Sequence, residues 1–193
     1  ALQPAIRFTK KECLDLPPIL TETRNIPLTP QQAKYYRALK RQMLIQAAGE
    51  EVTAVNAAAN LNKLLQISGG AVYADSGDIV EFDIKPRSRE LLDIINQTSN
   101  KLIVFVPYRH TIESVNNFLI KSKVSTSVIH GNVSAGKRSL IFKKFQEEKD
   151  PRVLVIQPQA ASHGVTLTEA DTVVFWSPVM SVETYLQCVA RID

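Results

Sequence analysis

The 193-residue sequence contains few of the residues from which covalent cross-links and metal sites are made. Its 2 cysteines, Cys13 and Cys188, lie far apart without a CxxC pair, and its 3 histidines do not recur at the intervals of metal ligands. Long apolar runs are missing as well, because Leu102–Val106 and Val153–Ile156 are far shorter than the roughly 20 residues that cross a bilayer. These absences argue against a disulfide framework, a zinc site and a membrane span.

The composition is that of a basic globular protein. Hydrophobic residues make up 45% of the chain, and Ala1–Lys10 lacks the apolar core of a secretory signal, so we expect a cytoplasmic protein. Lysine and arginine outnumber aspartate and glutamate by 23 to 19, which gives a formal net charge of +4. This balance suits a polyanionic partner, although it is common among proteins that bind none.

The first part of the chain has a helical pattern, and the pattern changes near Lys85 and Pro86. Thr29-Pro30-Gln31-Gln32 is a capping box with proline at the first helical position, which predicts that a helix begins there. A polar break over Ala47–Thr53 separates it from a second helix. The apolar residues that the first helix is expected to bury are Tyr36, Leu39, Met43 and Leu44.

A short hairpin is expected after the second helix, which ends at Gly69-Gly70. Its strands, Ala71–Tyr73 and Ile79–Phe82, flank the turn-forming segment Asp75–Asp78. We therefore divide the chain into a connector at residues 1–28, a helical segment with a hairpin at 29–86, and an α/β domain at 87–193.

From Arg87 onward, helical patterns alternate with short apolar strands, which favours an α/β fold with a parallel sheet and helices on both faces. The expected strands are Leu102–Val106, Ser125–Ile129, Val153–Ile156 and Thr172–Trp176, with helices near 87–97, 111–121, 134–146 and 181–191. Ligands bind such sheets at the carboxyl ends of the strands. The loops at that edge are Pro107–His110, His130–Gly136, Gln157–Thr168 and Ser177–Ser181.

One of these loops matches part of a phosphate-binding motif. Gly131–Lys137 has the spacing GxxxxGK, but the next residue is Arg138 rather than the Ser or Thr that holds Mg²⁺. The strand Val153–Ile156 ends in Gln157, not in the Asp that would complete a magnesium site. The simpler interpretation is a turn and a helix that Ser134 caps, while a P-loop small-molecule kinase stays open as an alternative.

Two further segments carry residues that suit phosphate chemistry. Gly164 lies among small and hydroxylated residues, which let a backbone approach a ligand closely, although a tight connection would need the same glycine. Gln187 and Arg191 are four residues apart and hence on one face of the last expected helix. An arginine there could reach a transferring phosphoryl group or form a surface ion pair.

Several segments resemble, in order and spacing, those of one family. Lys101–Val106 looks like helicase motif IV, Ala160–Asp171 is similar to motif V, and Gln187–Arg191 resembles the start of motif VI. His130-Gly131 with Arg138 and Phe145 resembles the segment that follows motif IV, and residues 7–36 resemble the connection from the first motor lobe. The family is that of superfamily 2 helicases and translocases of the Swi/Snf type, and this chain resembles their C-terminal RecA-like lobe.

Three departures from the family pattern are visible. Ala161-Ser162 stands where many relatives carry paired glycines, and Thr166 stands where Asn or Asp is usual. The sequence also stops at Asp193, before the second arginine of motif VI. The resemblance favours a phage or bacterial type.

The resemblance implies that ATP binds between this lobe and a first lobe whose Walker motifs hold the phosphates and Mg²⁺. Arg191 would be the catalytic arginine finger, and the residues in contact with ATP would be Gly164, Thr166, Gln187 and Arg191. We expect this piece alone to be inactive and its parent to be an ATP-dependent DNA helicase or translocase. Double-stranded DNA and the first motor lobe are the expected partners.

Contacts to nucleic acid are expected from the loops at the strand ends. The residues chosen for this role are Tyr108, Arg109, Gly131, Lys137 and Ser162. Arg109 and Lys137 have an equally simple interpretation as solvated surface charges. Trp176, the only tryptophan, follows an apolar strand and is expected in the core. A non-catalytic nucleic-acid-binding or protein-docking module stays open as a second alternative.

Overall fold

The computed structural model describes residues 19–49, 54–74, 76–161 and 166–192, so most of the connector expected at residues 1–28 lies outside it. Two helices open the described part, α1 (Pro30–Gly49) and α2 (Ala54–Gly69). The predicted capping box begins α1, since the Gln32 N–H donates to Thr29 Oγ1 at 3.3 Å and the Thr29 N–H donates to Gln32 Oε1 at 3.1 Å.

Two expectations about α1 were wrong. The helix continues to Gly49, so the break predicted from Ala47 does not begin there, because alanine has the highest helix propensity. Leu44 was expected to be buried but is 62% exposed. Successive helical residues are rotated by about 100°, and Leu44 therefore lies beside the stripe that half-buries Leu39 and Met43.

The predicted hairpin forms after α2. Strands β1 (Ala71–Tyr73) and β2 (Ile79–Glu81) pair in antiparallel register. Gly70 joins α2 to β1 with a φ of +122°, and a Cβ at this position would lie 2.2 Å from the Ile84 side chain. The junction therefore requires glycine for its backbone conformation and for space.

The rest of the chain is the expected α/β fold, with a parallel sheet of four strands in the order β4-β5-β3-β6. Its elements in chain order are α3 (Lys85–Gln97), β3 (Lys101–Phe105), α4 (Arg109–Lys121), β4 (Thr126–Ile129), α5 (Ala135–Glu147), β5 (Val153–Ile156), β6 (Ala170–Phe175) and α6 (Val182–Val189). A 3-10 turn at Pro158–Ala161 follows β5.

Helices cover both faces of the sheet, and each face has its own core. Ile103 and Phe105 of β3 pack in one cluster with residues of α5 and α6, whereas Leu102 and Val104 pack in the other with residues of α3 and α4. This alternation follows from the period of two along a strand.

At the amino-terminal edge of the sheet, two cations cap helix ends. The Lys101 ammonium group donates to the carbonyls of Phe145 and Glu148 at the end of α5. Arg152 donates to the carbonyls of Ile95 and Thr98 at the end of α3. Cations are favourable there because the last carbonyls of a helix lack partners and carry partial negative charge.

Trp176 joins the helical segment to the sheet. It is 5% exposed, as expected of a core residue, and its Nε1 donates to the Gly69 carbonyl at 2.7 Å. The Arg87 guanidinium lies 5.5 Å from the centre of the indole ring and donates to the Trp176 carbonyl at 3.0 Å. The end of α2 is thereby fixed against the carboxyl end of β6.

Candidate nucleotide and nucleic-acid site

The four parallel strands end at one edge, which we call the carboxyl edge. Phe105 of β3 pairs with Ile156 of β5 and Phe175 of β6, and Ile129 of β4 also pairs with Ile156, so the last residues of all four strands are in register. The loops that follow therefore start side by side. Most of the side chains proposed from the sequence lie in these loops.

Tyr108 and Arg109 begin α4 at this edge. Tyr108 is the N-cap residue without a side-chain cap, and its phenol donates to Asn62 Oδ1 of α2 at 2.7 Å. Burial raises the pKa of Tyr108, so the phenol stays neutral near pH 7. Arg109 is 50% exposed and pairs with Glu113 at 3.3 Å. An exposed pair of this kind contributes little to stability, so a phosphate could replace Glu113 at small cost.

The loop between β4 and α5 ends in a capped helix. Ser134 is the N-cap of α5 and accepts a hydrogen bond from the Lys137 N–H, which confirms the simpler interpretation of Gly131–Lys137. Lys137 itself is exposed. Since the Lys137 amide is already bonded to Ser134, the geometry does not favour a phosphate-binding P-loop here.

Gly131 donates its N–H to Gln157 Oε1 at 3.3 Å. A Cβ at Gly131 would find, among the described residues, only Gln157 Oε1 within 4 Å, at 4.0 Å. Local packing therefore does not require glycine at this position. A ligand that approaches the backbone closely would require it.

The segments that resemble motifs V and VI are in contact with each other. The Leu167 N–H donates to the Arg191 carbonyl at 2.5 Å, which brings neighbouring Thr166 close to Arg191 along the backbone. Gln187 donates to Glu183 at 3.2 Å within α6. Helix α6 packs against the 3-10 turn after β5.

Helix α6 is shorter than expected. It ends at Val189, and Arg191 lies in the turn that follows, so the argument that Gln187 and Arg191 share a helix face was wrong. The N–H groups of Arg191 and Ile192 bond to the carbonyls three residues back, those of Cys188 and Val189, so the last turn tightens and the α-helix ends. Ser162 and Gly164, the remaining site predictions, lie outside the described residues.

Cys188 anchors α6 in the core. The side chain is fully buried in the core between α6, α5 and the sheet. Burial raises the pKa of the Cys188 thiol to about 11, against the opposing effect of the positive charge on Arg191. A thiol with so high a pKa is almost entirely protonated at neutral pH.

The chemistry available at this edge is that of phosphate binding. It offers Arg109 and Lys137 as exposed cations, together with backbone N–H donors. Within residues 19–49, 54–74, 76–161 and 166–192, no group of three or more His, Cys, Asp or Glu is placed to hold a metal ion. In that same part of the chain, no helix is long and apolar enough to span a bilayer.

Sequence reasoning missed two residues of this edge. Asn62 of α2 holds the Tyr108 phenol, and Gln157 contacts two loops. A polar residue directly after a central strand is a signal that could have pointed to Gln157. Asn62 carried no such signal, because its contact joins two elements distant in sequence.

Comparison with known proteins places the chain in a class and then in a family. A parallel sheet covered by helices on both faces, with motif-like segments at its carboxyl edge, defines a RecA-like domain. Residues 86–193 match the family model of the helicase conserved C-terminal domain, and the chain belongs to this family. This membership confirms the helicase C-terminal domain that the sequence resemblance implied.

Individual relatives agree with this assignment. The chain is 26% identical to protein p41 of Acyrthosiphon pisum secondary endosymbiont phage 1, over 87% of this chain and 35% of that protein. It is 25% identical to an uncharacterized ATP-dependent helicase, MG018, of Mycoplasma genitalium, over 88% of this chain and 17% of the relative. It therefore spans about a third or less of the curated relatives that it matches.

A solved structure shows the same fold. The Sulfolobus solfataricus SWI2/SNF2 ATPase core in complex with dsDNA superimposes with a TM-score of 0.65 and 21% sequence identity. The match covers 78% of this chain and 33% of that chain. At this identity the likeness concerns the fold, and the site residues are argued from their own geometry.

Proposed function

We propose that this chain is the C-terminal motor lobe of an ATP-dependent DNA translocase or helicase. The observation that carries the proposal is the contact between the motif V and motif VI segments, where the Leu167 N–H donates to the Arg191 carbonyl. Membership of the helicase C-terminal domain family supports it. The ATP-dependent helicase of Mycoplasma genitalium is a relative over most of this chain.

The nucleotide-facing part of the proposal concerns Arg191. Its guanidinium would stabilise the negative charge that develops on the γ-phosphoryl group of ATP, a contribution of about 10³–10⁵ in rate for arginine fingers. Gln187, Thr166 and Gly164 would complete the contacts to ATP on this side. Mg²⁺ would be held together with the phosphates by the Walker motifs of the other lobe, as the family resemblance implies.

The DNA-facing part concerns the loops after β3 and β4. Arg109 and Lys137 are exposed at the starts of α4 and α5, and Gly131 lies between them without a Cβ. Together with Tyr108 and Ser162, they would bind the phosphates of one strand of double-stranded DNA. Contacts of this type set affinity and register and carry no base sequence information.

The test is DNA-stimulated ATP hydrolysis by the parent protein with both lobes. We expect Arg191→Ala to lower the stimulated kcat by about 10³-fold or more, because the charge on the phosphoryl group loses its partner. Arg191→Lys should not restore it, since an ammonium group lacks the guanidinium fork. The DNA dissociation constant should change by less than about twofold in both variants.

Arg109→Ala tests the DNA-facing part of the proposal. It should raise the half-saturating DNA concentration and reduce the slope of log affinity against log salt by about 1. Lys149→Ala is the matched control, because it also removes one exposed positive charge but lies at the amino-terminal edge of the sheet. Its DNA affinity should equal that of the natural protein.

Two outcomes would favour the alternatives. If this 193-residue piece hydrolyses ATP alone, a P-loop mechanism at Gly131–Lys137 becomes the better account. If the parent binds DNA but Arg191→Ala leaves hydrolysis unchanged, the chain is a nucleic-acid-binding or docking module without a catalytic role.

A further inference from the structure

The side chain of Gln157 contacts two loops of the carboxyl edge at once. Gln157 is the first residue after β5, and β5 lies between β4 and β3 in the sheet. Its Oε1 accepts from the Gly131 N–H at 3.3 Å, and its Nε2 donates to the Pro107 carbonyl at 3.2 Å. The amide therefore bridges the loop after β4 and the loop after β3.

The backbone of Gln157 is itself held. Its N–H donates to the Ile129 carbonyl at 2.9 Å, and its carbonyl accepts from the Ala160 N–H at 2.8 Å. The preceding strand, β5, is buried over its whole length. The bridging amide is therefore presented from a packed element, which is the arrangement that positions functional groups most accurately.

Both bridged groups adjoin proposed DNA contacts. Pro107 directly precedes Tyr108 and Arg109, and Gly131 is itself such a contact. A strand that binds both loops at once needs them at a fixed separation, within about 0.5 Å of the productive geometry. Of the described side chains, that of Gln157 is hydrogen-bonded to the backbone of both loops.

We propose that Gln157 is a positioning residue that couples the two DNA-binding loops without contacting DNA. The proposal rests on the function proposed above, because it supposes that both loops bind the same strand. A purely structural role would make Gln157 matter for folding but would leave the contributions of the two loops to DNA affinity independent. Energetic coupling between the loops distinguishes these roles.

The experiment is a double-mutant cycle in the parent protein, with the dissociation constant of a double-stranded DNA oligonucleotide as the readout. Gln157→Met keeps the length of the side chain and removes both hydrogen bonds, and we expect it to weaken binding about tenfold. Arg109→Ala should weaken binding about fivefold in the natural protein and less than about twofold in the Gln157→Met background. Gln97→Met, an exposed glutamine of α3, is the control and should change nothing.

Gln157→Asn is a second variant that distinguishes a loss of coupling from a folding defect. It keeps the amide on a shorter side chain that cannot span both loops, and it should show the same loss of coupling with an unchanged unfolding midpoint in urea. If the Gln157→Met and Gln157→Asn variants of the parent protein bind DNA with the natural affinity, this inference is overturned and the proposed function stands. The same conclusion follows if the effect of Arg109→Ala on DNA affinity is fully additive with the effect of either variant. A parent that does not bind DNA overturns both.

Discussion

At the amino-terminal edge of the sheet, Lys101 and Arg152 direct their positive charges at the carbonyls that end α5 and α3. At the carboxyl edge, Arg109 and Lys137 stand exposed at the starts of α4 and α5. Cations at helix ends stabilise a fold, whereas cations at helix starts oppose the helix dipole and leave binding capacity for anions. The difference separates an edge where cations stabilise the fold from the edge where we propose that DNA binds.

The largest expected effect on stability comes from Gly70, at the junction between α2 and β1. Gly70→Ala should lower the free energy of unfolding by about 3 kcal/mol, because a Cβ would meet Ile84 at 2.2 Å and φ is +122°. Urea denaturation of this chain measures the change.

Gly77→Ala is the matched control for that prediction. Gly77 also has a positive φ, +89°, but a Cβ there would have no described atom within 4 Å. The expected loss is about 1 kcal/mol from backbone strain alone. If both variants lose the same free energy of unfolding, the Ile84 side chain moves away from the new Cβ without cost.

A smaller effect is expected at the amino-terminal edge. Arg152→Met should lower the free energy of unfolding by about 2 kcal/mol, since the carbonyls of Ile95 and Thr98 would lose a charged donor. Lys149→Met, at the same edge but exposed, should cost less than about 0.5 kcal/mol. Similar losses in both variants would contradict the assignment of this edge to stability.

The smallest effect concerns pH and the anchoring of α6. Because burial raises the pKa of Cys188 from 9.0 to about 11, the unfolded thiol loses its proton at lower pH than the folded one. The corresponding stability is present below pH 9 and is lost as the pH rises toward 11.

Cys188→Ala removes this contribution. Between pH 8 and pH 10, the natural chain should lose about 1 kcal/mol more stability than the variant, as measured by urea denaturation at each pH. Parallel pH profiles for the two chains would mean that the thiol is not buried as the structure describes.

The strands were predictable because their apolar runs are short and sharply bounded. The predicted Val153–Ile156 is the observed β5, and the predicted Leu102–Val106 is displaced by one residue from β3. Local signals were enough for the capping box at Thr29 and for the Ser134 cap as well. These features depend on residues close together in the sequence.

The contacts that shape the site were not predictable in this way. The bridge made by Gln157 depends on the strand order β4-β5-β3, and the contact between the motif V and motif VI segments depends on the bond between Leu167 and Arg191. Both arise from packing between residues far apart in the chain. The roles of Thr166, Gln187 and Arg191 toward ATP stay predictions.

The interface between α2 and the sheet contains Trp176, the only tryptophan of the chain. The Trp176 indole is buried, its Nε1 is bonded to Gly69, and the Arg87 guanidinium lies over its ring. Fluorescence of an indole responds to water and to nearby charge. The chain therefore carries its own optical reporter, whose emission would shift to longer wavelength whenever the helical segment separates from the sheet.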